Sequence, residues 1–212
     1  MNQFGLNCDR LRGHKEWCEI ARRLTSRNLL TQILEGHCRT LEMEGKMLAR
    51  RFIEFLDTSH ARYELMPHPV AYTAWQTAFL SHVPEDEVAK TVIVKIDGKL
   101  FMAVLPASRH VDLGALASAT KARQVRLASE SEFKRIFPDC EVGAMPPFGN
   151  LYGVPVLVDA TLAKDKRIAF NACSHSELMR MSYEEFAELV KPKVLEFTAE
   201  GEHALYVDDR PW

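Results

Sequence analysis

The sequence predicts an α+β domain in which helices flank a mixed, largely antiparallel sheet that is partly closed and barrel-like. Two observations support this fold class: predicted strands outnumber predicted helices, and the strands are joined by hairpins as well as by helices. The clearest hairpin joins residues 89–96 to 99–105 through Asp97-Gly98, the dipeptide preferred in two-residue type I′ turns. We therefore expect these two strands to be antiparallel neighbours.

The other elements are predicted from apolar spacing and from capping residues. Helices are expected where apolar residues recur with helical period, at 46–57, 74–81, 113–119, 129–136 and 182–190. Their N-termini are marked by Thr73, Asp112, Ser129 and Ser182, the last two with the spacing of a capping box. Further strands are expected at 61–66, 123–127, 154–158, 167–172 and 175–181.

Patterning divides the chain into three parts. Residues 46–197 hold the elements above and are expected to form one domain. Residues 1–45 are expected to form a helical or poorly ordered N-terminal extension, and residues 198–212 a charged, frayed tail.

Composition excludes several classes of protein. The chain has 212 residues, 47% of them hydrophobic, and a net charge of −2, which is ordinary for a soluble protein and argues against a general nucleic-acid coat. No apolar run approaches the roughly 20 residues of a membrane helix, and no secretion signal is evident, so we expect a cytoplasmic protein with no membrane partner. Five cysteines without a C-x-x-C pair indicate reduced thiols rather than a disulfide framework. The histidines have no metal-ligand spacing and nucleotide-binding motifs are absent, so neither a metal nor a cofactor is expected.

The stretch Gly143-Ala-Met-Pro-Pro-Phe-Gly149 is the most informative segment of the chain. Proline fixes φ and glycine opens backbone angles closed to other residues, so this segment forms a stiff loop rather than a helix or a central strand. Such a loop is able to present main-chain N–H and C=O groups to a ligand. Taken alone, it is more often a structural turn between two elements.

Lys90 begins the first hairpin strand, on the same face as Val92, Val94 and Ile96. A lysine at the head of an apolar face either lines a pocket rim, where a phosphate, a ribose hydroxyl or a carbonyl would pair with it, or returns to water along its stem. The segment alone favours the second interpretation.

Histidines and a basic cluster offer further chemistry. If the strand before it continues, His175 shares a face with Cys173, and a thiol with a nearby imidazole is the raw material of nucleophilic catalysis, although two ordinary half-buried residues give the same pattern. His68 is pinned between two prolines, where it lines a cleft or lies at the surface. The densest basic cluster suits either an RNA backbone or a solvated surface, and it consists of Lys121, Arg123, Arg126, Lys134 and Arg135.

Seven segments in order over about 47–197 resemble the bacterial free-standing aminoacyl-tRNA editing deacylases, relatives of the editing domain inserted in bacterial prolyl-tRNA synthetase. They are 63–65 with His68-Pro69 and Thr73-Ala74, 89–92, 105–107, 111–113, 137–149, 152–156 with Asp159, and Ser174-His175. Each segment is weak alone, but the ordered set is hard to obtain by chance.

The resemblance implies hydrolysis of the ester that joins a wrong amino acid to the 3′ end of a tRNA. It assigns Lys90 to holding the terminal adenosine or its phosphate, and the backbone of the loop to positioning the aminoacyl group and its oxyanion. The residues that it implies in catalysis are Lys90, Gly143, Ala144, Pro147 and His175. Those that it implies in substrate binding are His68, Thr73, Met145, Pro146, Phe148, Cys173 and Ser174.

The implied substrates are small amino acids such as alanine, serine or cysteine on tRNA, because a small pocket excludes larger side chains. The resemblance also implies that the substrate's own ribose hydroxyl helps to activate water, so that neither a catalytic triad nor a metal is expected. The implied partners are the aminoacyl-tRNA 3′ end and an aminoacyl-tRNA synthetase.

One departure from the family leaves two other functions open. Cys173 stands where many members have glycine. A side chain at this position would narrow the pocket or alter the loop, and either change would affect what His175 contributes. A non-catalytic module of the same fold would bind a tRNA end, a synthetase or a small ligand. A different enzyme would use the Cys173 thiolate with His175 as base.

Overall fold

The structure, a computed structural model, describes residues 50–200. The helices are α1 (Arg50–Thr58), α2 (Ala74–Ser81), α3 (Leu113–Thr120), α4 (Glu130–Phe133) and α5 (Tyr183–Val190). The strands are β1 (Tyr63–Pro67), β2 (Ala89–Ile96), β3 (Lys99–Pro106), β4 (Arg109–Val111), β5 (Val125–Leu127), β6 (Val156–Asp159), β7 (Arg167–Asn171), β8 (Glu177–Ser182), β9 (Lys193–Leu195) and β10 (Thr198–Glu200). The predicted extension at 1–45 and positions 201–212 of the predicted tail lie outside the described residues.

The predicted α+β class with a largely antiparallel sheet is confirmed. The largest sheet has the order β5-β2-β3-β6-β9, and the smaller ones β1-β8-β7 and β10-β4. Strands β2 and β3 form the expected hairpin, in register from Ala89 opposite Pro106 to Ile96 opposite Lys99. Parallel pairing occurs where β6 lies between β3 and β9. No helix within residues 50–200 combines the length and the apolar character needed to cross a bilayer.

The expectation of a partly closed barrel is wrong, because the described strands form three separate open sheets. The five-stranded and three-stranded sheets touch at a single parallel bridge between Val88 and Ala169. Next to it, the amide of Ala169 donates to the carbonyl of Glu87 at 2.8 Å. Beyond this point β2 continues its ladder with β3 while β7 continues with β8, so the two sheets diverge instead of closing.

Three apolar clusters stabilise this arrangement. The largest is aromatic and packs α1 and α5 against the loop before β6, with Phe52, Phe148, Phe170 and Phe186 at its centre. A second covers the other face of the five-stranded sheet. A third and smaller cluster packs Ala74 and Ala78 of α2 against the bridge between the two sheets.

Most predicted caps are confirmed, and two segments differ from prediction. Glu185 does not complete a capping box with Ser182, because its carboxylate accepts the amide of Arg62 at 2.8 Å instead. Helix α4 ends at Phe133, three residues before the predicted end. Residues 198–200 were assigned to the tail but form β10, which pairs with β4.

Candidate active site

The glycine–proline loop, residues 140–149, begins with a tight turn around Gly143. The amide of Ala144 donates to the carbonyl of Glu141 at 3.0 Å, which closes a β-turn with Gly143 at its third position. Gly143 has φ of 89°, in the left-handed region that L side chains disfavour. Glycine therefore stands where this turn requires it.

Only the start of this loop faces solvent. Gly143 is exposed, whereas residues 144–149 are buried. Pro146 and Pro147 have no N–H, and the amide of Phe148 donates to the carbonyl of Pro146 at 2.7 Å. The Gly143 amide points to the sulfur of Met145 at 3.3 Å, a weak acceptor. The Met145 amide donates to no acceptor within residues 50–200. Within residues 50–200 the amides of Gly143 and Met145 therefore have no strong acceptor, and of these two residues Gly143 is the exposed one.

The segment 172–176 turns the chain back from β7 to β8. Cys173 has φ of 66° and a fully buried side chain. A non-glycine residue rarely adopts this conformation, which gives a physical reason why glycine would suit the position. Because β7 ends at Asn171, before either residue, the prediction that Cys173 and His175 share a strand face is wrong.

His175 joins three segments of the chain. Its ring Nδ1 lies 3.1 Å from the carbonyl oxygen of Ala71, and its Nε2 lies 2.9 Å from the carbonyl oxygen of Val142. Its backbone amide donates to the Glu141 carboxylate at 2.7 Å, and its carbonyl accepts from the amide of Ala71 at 2.9 Å. Both ring nitrogens therefore face main-chain acceptors.

Sequence reasoning missed two residues beside His175. The carboxylate of Glu141 holds the His175 amide, and the amide of Glu141 donates to the carbonyl of Cys173 at 3.0 Å, so this residue fastens the loop to the 172–176 segment. Tyr72 is 71% exposed and its ring centroid lies 5.0 Å from that of His175. Neither residue has a sequence signal of its own, because both act through contacts between distant parts of the chain.

His68 is buried beside the same network. Its amide donates to the carbonyl of Ser176 at 2.9 Å, and its Nδ1 lies 2.8 Å from the carbonyl oxygen of Pro69. In the tautomer that donates from Nδ1 to Pro69, Nε2 carries a lone pair. That Nε2 is buried and makes no hydrogen bond within the described residues.

The hydroxyls of Thr73 and Ser174 are engaged locally. Thr73 caps α2 and accepts the amide of Gln76 at 3.2 Å. The Ser174 hydroxyl lies 2.9 Å from that of Ser176 and accepts the Ser176 amide at 3.1 Å. Both side chains therefore shape the segments around His68 and His175.

Lys90 is the second residue of β2. Lys90 lies two positions after the bridge residue Val88, and Asn171 lies two positions after its bridge partner Ala169 on β7. Because the bridge is parallel, Lys90 and Asn171 lie on the same side of it. The Lys90 ammonium donates to the carbonyl of Ala107 at 3.3 Å. The predicted face is confirmed, since Val94 and Ile96 pack in the second cluster and Ile93 in the first.

The prediction of reduced thiols is wrong for one pair of cysteines. Cys140 and Cys173 form a disulfide across 33 residues of sequence. The bond joins the start of the glycine–proline loop to the 172–176 segment. Sequence spacing gave no sign of it, because the fold alone brings the two residues together.

The basic cluster is partly neutralised. Arg126 pairs with Glu132 at 2.7 Å, and Lys134 pairs with Glu130 at 3.0 Å. Hydrogen bonds from Arg126, followed by those from Lys95 and Ser129, hold the pKa of the Glu132 carboxyl well below its usual range. Two of the five basic side chains therefore already have acidic partners, which favours a solvated surface over an RNA-binding patch.

The model of the aminoacyl-tRNA editing domain matches residues 68–189, more than half of the chain. A solved structure described as a candidate trans-editing enzyme for prolyl-tRNA synthetase superposes with a TM-score of 0.63 at 18% identity, covering 72% of this chain and 97% of that one. A hypothetical protein of known structure superposes with a TM-score of 0.64 at 22% identity, and the match covers 70% of this chain and 99% of that one. A candidate signal-transduction protein from Marinobacter aquaeolei VT8 superposes with a TM-score of 0.54 at 19% identity, and the match covers 66% of this chain and 29% of that one. No curated protein matches the chain. Identities this low show a shared fold.

Proposed function

Because the chain belongs to the aminoacyl-tRNA editing domain family, we propose that it is a trans-editing hydrolase that acts in the cytoplasm. It cleaves the ester between a small amino acid, such as alanine, serine or cysteine, and a mischarged tRNA, and the cleavage needs no metal. The partners are the aminoacyl-tRNA 3′ end and an aminoacyl-tRNA synthetase.

The observation that carries this proposal is the turn at Gly143. Its position is fixed from both sides, by the Ala144 amide that closes the turn and by the bonds of Glu141 and Val142 to His175. Fixed main-chain donors are suited to the negative charge that develops on a carbonyl oxygen when water attacks it. In the proposed reaction, the Gly143 and Met145 amides donate to this oxyanion. When the oxyanion collapses, the ester C–O bond breaks and the 3′ oxygen of the ribose leaves with the proton that the attacking water gives up.

His175 acts as a positioning residue in this scheme. A general base needs a lone pair that faces the water, whereas both ring nitrogens of His175 face the carbonyls of Ala71 and Val142. We therefore assign activation of the water to the ribose hydroxyl next to the ester. This assignment explains how the site functions without a catalytic base of its own.

Lys90 and His68 would contact the tRNA end. The Lys90 ammonium suits the terminal phosphate or ribose, and the unpartnered Nε2 of His68 suits a hydroxyl or amine of the substrate. The walls of a small amino-acid pocket would come from Met145, Pro146 and Pro147 in the buried part of the loop. Phe148, which was also predicted to bind substrate, packs instead inside the aromatic cluster against Phe52 and Phe170.

The test is the release of amino acids from a panel of mischarged tRNAs, measured in single turnover with radiolabelled amino acid. Lys90→Ala should lower the rate by about 10²-fold, the loss typical of a misplaced substrate. Lys99→Ala is a matched control, because Lys99 is an exposed lysine at the start of the neighbouring strand. Wild-type rates in Lys90→Ala would remove this lysine from the mechanism. Saturable binding of tRNA without release from any substrate would favour the binding module.

A further inference from the structure

The Cys140–Cys173 disulfide joins the two segments that form the proposed site. Cys140 opens the glycine–proline loop and is half-buried, whereas Cys173 lies two residues before His175 and is fully buried. The other bonds between these segments are hydrogen bonds made by Glu141 and Val142. The disulfide is the one covalent link between them within residues 50–200.

We propose that Cys140 and Cys173 form a reversible thiol–disulfide site that sets the rate of the editing reaction, with the oxidised form the faster one. This proposal rests on the proposed function. The ligand class is a small thiol or disulfide, such as glutathione, or a peroxide. In a reducing compartment, a disulfide beside an active site is usually transient or redox-sensing rather than structural.

Opening the bond would loosen the turn without unfolding the domain. The Cys173 backbone has φ of 66°, in the left-handed region that L residues disfavour, so the link helps to hold a conformation that the residue would not adopt readily by itself. Without the link, the hydrogen bonds of Glu141 and Val142 remain, and the Gly143 turn keeps its place only part of the time. Because oxyanion donors act by being fixed in advance, the rate should fall.

Reduction begins at the more accessible sulfur. A thiolate attacks Sγ of Cys140, the S–S bond breaks, and the electron pair leaves on Sγ of Cys173, which then takes a proton. A second thiolate attacks the mixed disulfide, releasing the Cys140 thiolate and the oxidised reductant. The Tyr152 hydroxyl lies 3.7 Å from Sγ of Cys140 and is able to donate to that thiolate. Burial, followed by the charge of Asp139, raises the pKa of Tyr152, so the hydroxyl keeps its proton at neutral pH.

Oxidation by a peroxide reverses the change. The Cys140 thiolate attacks one peroxide oxygen and expels hydroxide, which gives a sulfenic acid. The Cys173 thiol then attacks that sulfur and water leaves. In sum, two thiols and one peroxide give one disulfide and two waters, so the two electrons lost by sulfur are gained by oxygen.

The experiment uses the full chain with Cys8→Ser, Cys18→Ser and Cys38→Ser, which leaves Cys140 and Cys173 as the only cysteines. The protein is equilibrated in glutathione buffers from reducing to oxidising. Free thiols are counted by alkylation and mass spectrometry, and the deacylation rate is measured in the same samples. We expect the rate to fall about tenfold on reduction, less than the roughly 10²-fold of a fully misplaced group. The rate and the thiol count should share one midpoint.

Two single variants separate the link from the side chains. Cys140→Ser should remove the redox response and hold the rate at the reduced level. Cys173→Gly also lacks the link but suits the left-handed backbone, so it guards against a folding defect, and it too should lose the response. A redox response that persists in either variant would overturn the proposal, as would thiols that never pair in any buffer.

Hydrogen exchange of residues 141–145 reports on the loop without substrate. Slower exchange in the oxidised form, with no deacylation of any tRNA in either state, would refute the editing function while leaving redox control of the loop in place. Deacylation at equal rates in both states, with the thiol pair opening and closing, would refute the redox proposal and leave the editing function standing.

Discussion

Replacing Gly143 by alanine tests whether the turn itself is functional. Gly143 has φ of 89°, and a left-handed backbone costs an L residue about 1–2 kcal/mol. Gly98 offers a matched control, because it has φ of 84° in the β2–β3 hairpin and a Cβ there would meet nothing within 4 Å. Gly143→Ala and Gly98→Ala should therefore lose similar free energies of unfolding, equivalent to roughly 2–8 °C in Tm.

The two variants should differ in the deacylation rate. An alanine at Gly143 either strains the turn or rotates the amides that would face the oxyanion, and a displacement of that kind lowers rates by about 10²-fold. The hairpin turn lies outside the proposed site, so Gly98→Ala should deacylate at the wild-type rate. Tm is measured by circular dichroism, and the rate by single-turnover release of labelled amino acid from mischarged tRNA.

The pair of variants makes the reasoning refutable. If Gly143→Ala loses stability as Gly98→Ala does but keeps the wild-type rate, the turn is structural and its amides do not serve the reaction. If both variants lose rate in proportion to Tm, the effect reports folding rather than chemistry.

Two further predictions concern stability. Gly149→Ala should destabilise the domain by about 1–3 kcal/mol in urea unfolding, because its Cβ would clash with the carbonyl oxygen of Val154. An unchanged urea midpoint would contradict this packing. Burial alone would raise the pKa of Asp159, but hydrogen bonds from Thr161 and the amide of Phe197 outweigh it and hold the pKa below its ordinary value. The ionised carboxylate thus stabilises the fold above the unfolded pKa near 4, and this contribution is lost as pH falls through the lower folded pKa. Asp159→Asn should unfold at lower urea concentration than wild type at pH 7, with a smaller difference at pH 3.

Local signals predicted the elements that local chemistry decides. Helix α2 begins and ends where predicted, because the Thr73 and Gln76 side chains complete a capping box there. The hairpin was predicted with its turn, because Asp97 and Gly98 both take positive φ, as a type I′ turn requires. The loop around Gly143 was likewise evident from its glycines and prolines.

Contacts between distant parts of the chain could not be predicted in this way. The role of Glu141 depends on His175, 34 residues away, and the disulfide depends on the path of β7 and β8. The short strands β4, β9 and β10 were missed because each has three residues and takes its conformation from a partner strand. The sequence also did not predict that the sheets stay open. That outcome depends on the five-stranded and three-stranded sheets pairing only at the bridge between Val88 and Ala169, which is a contact between distant parts of the chain.

A site made of main-chain groups determines which residues the sequence has to specify. The amides proposed to meet the oxyanion belong to Gly143 and Met145, and no side-chain substitution removes an amide except proline. A role at such positions depends on backbone angles, so glycine and proline would carry the information that acids and bases carry in sites built from side chains. His175 fits the same logic, because its ring nitrogens lie 3.1 and 2.9 Å from the carbonyl oxygens of Ala71 and Val142, so the ring lies between two main-chain segments and helps to order both. A search for catalytic side chains would therefore overlook the proposed oxyanion donors, whereas a search for conformationally restricted residues leads to Gly143 directly.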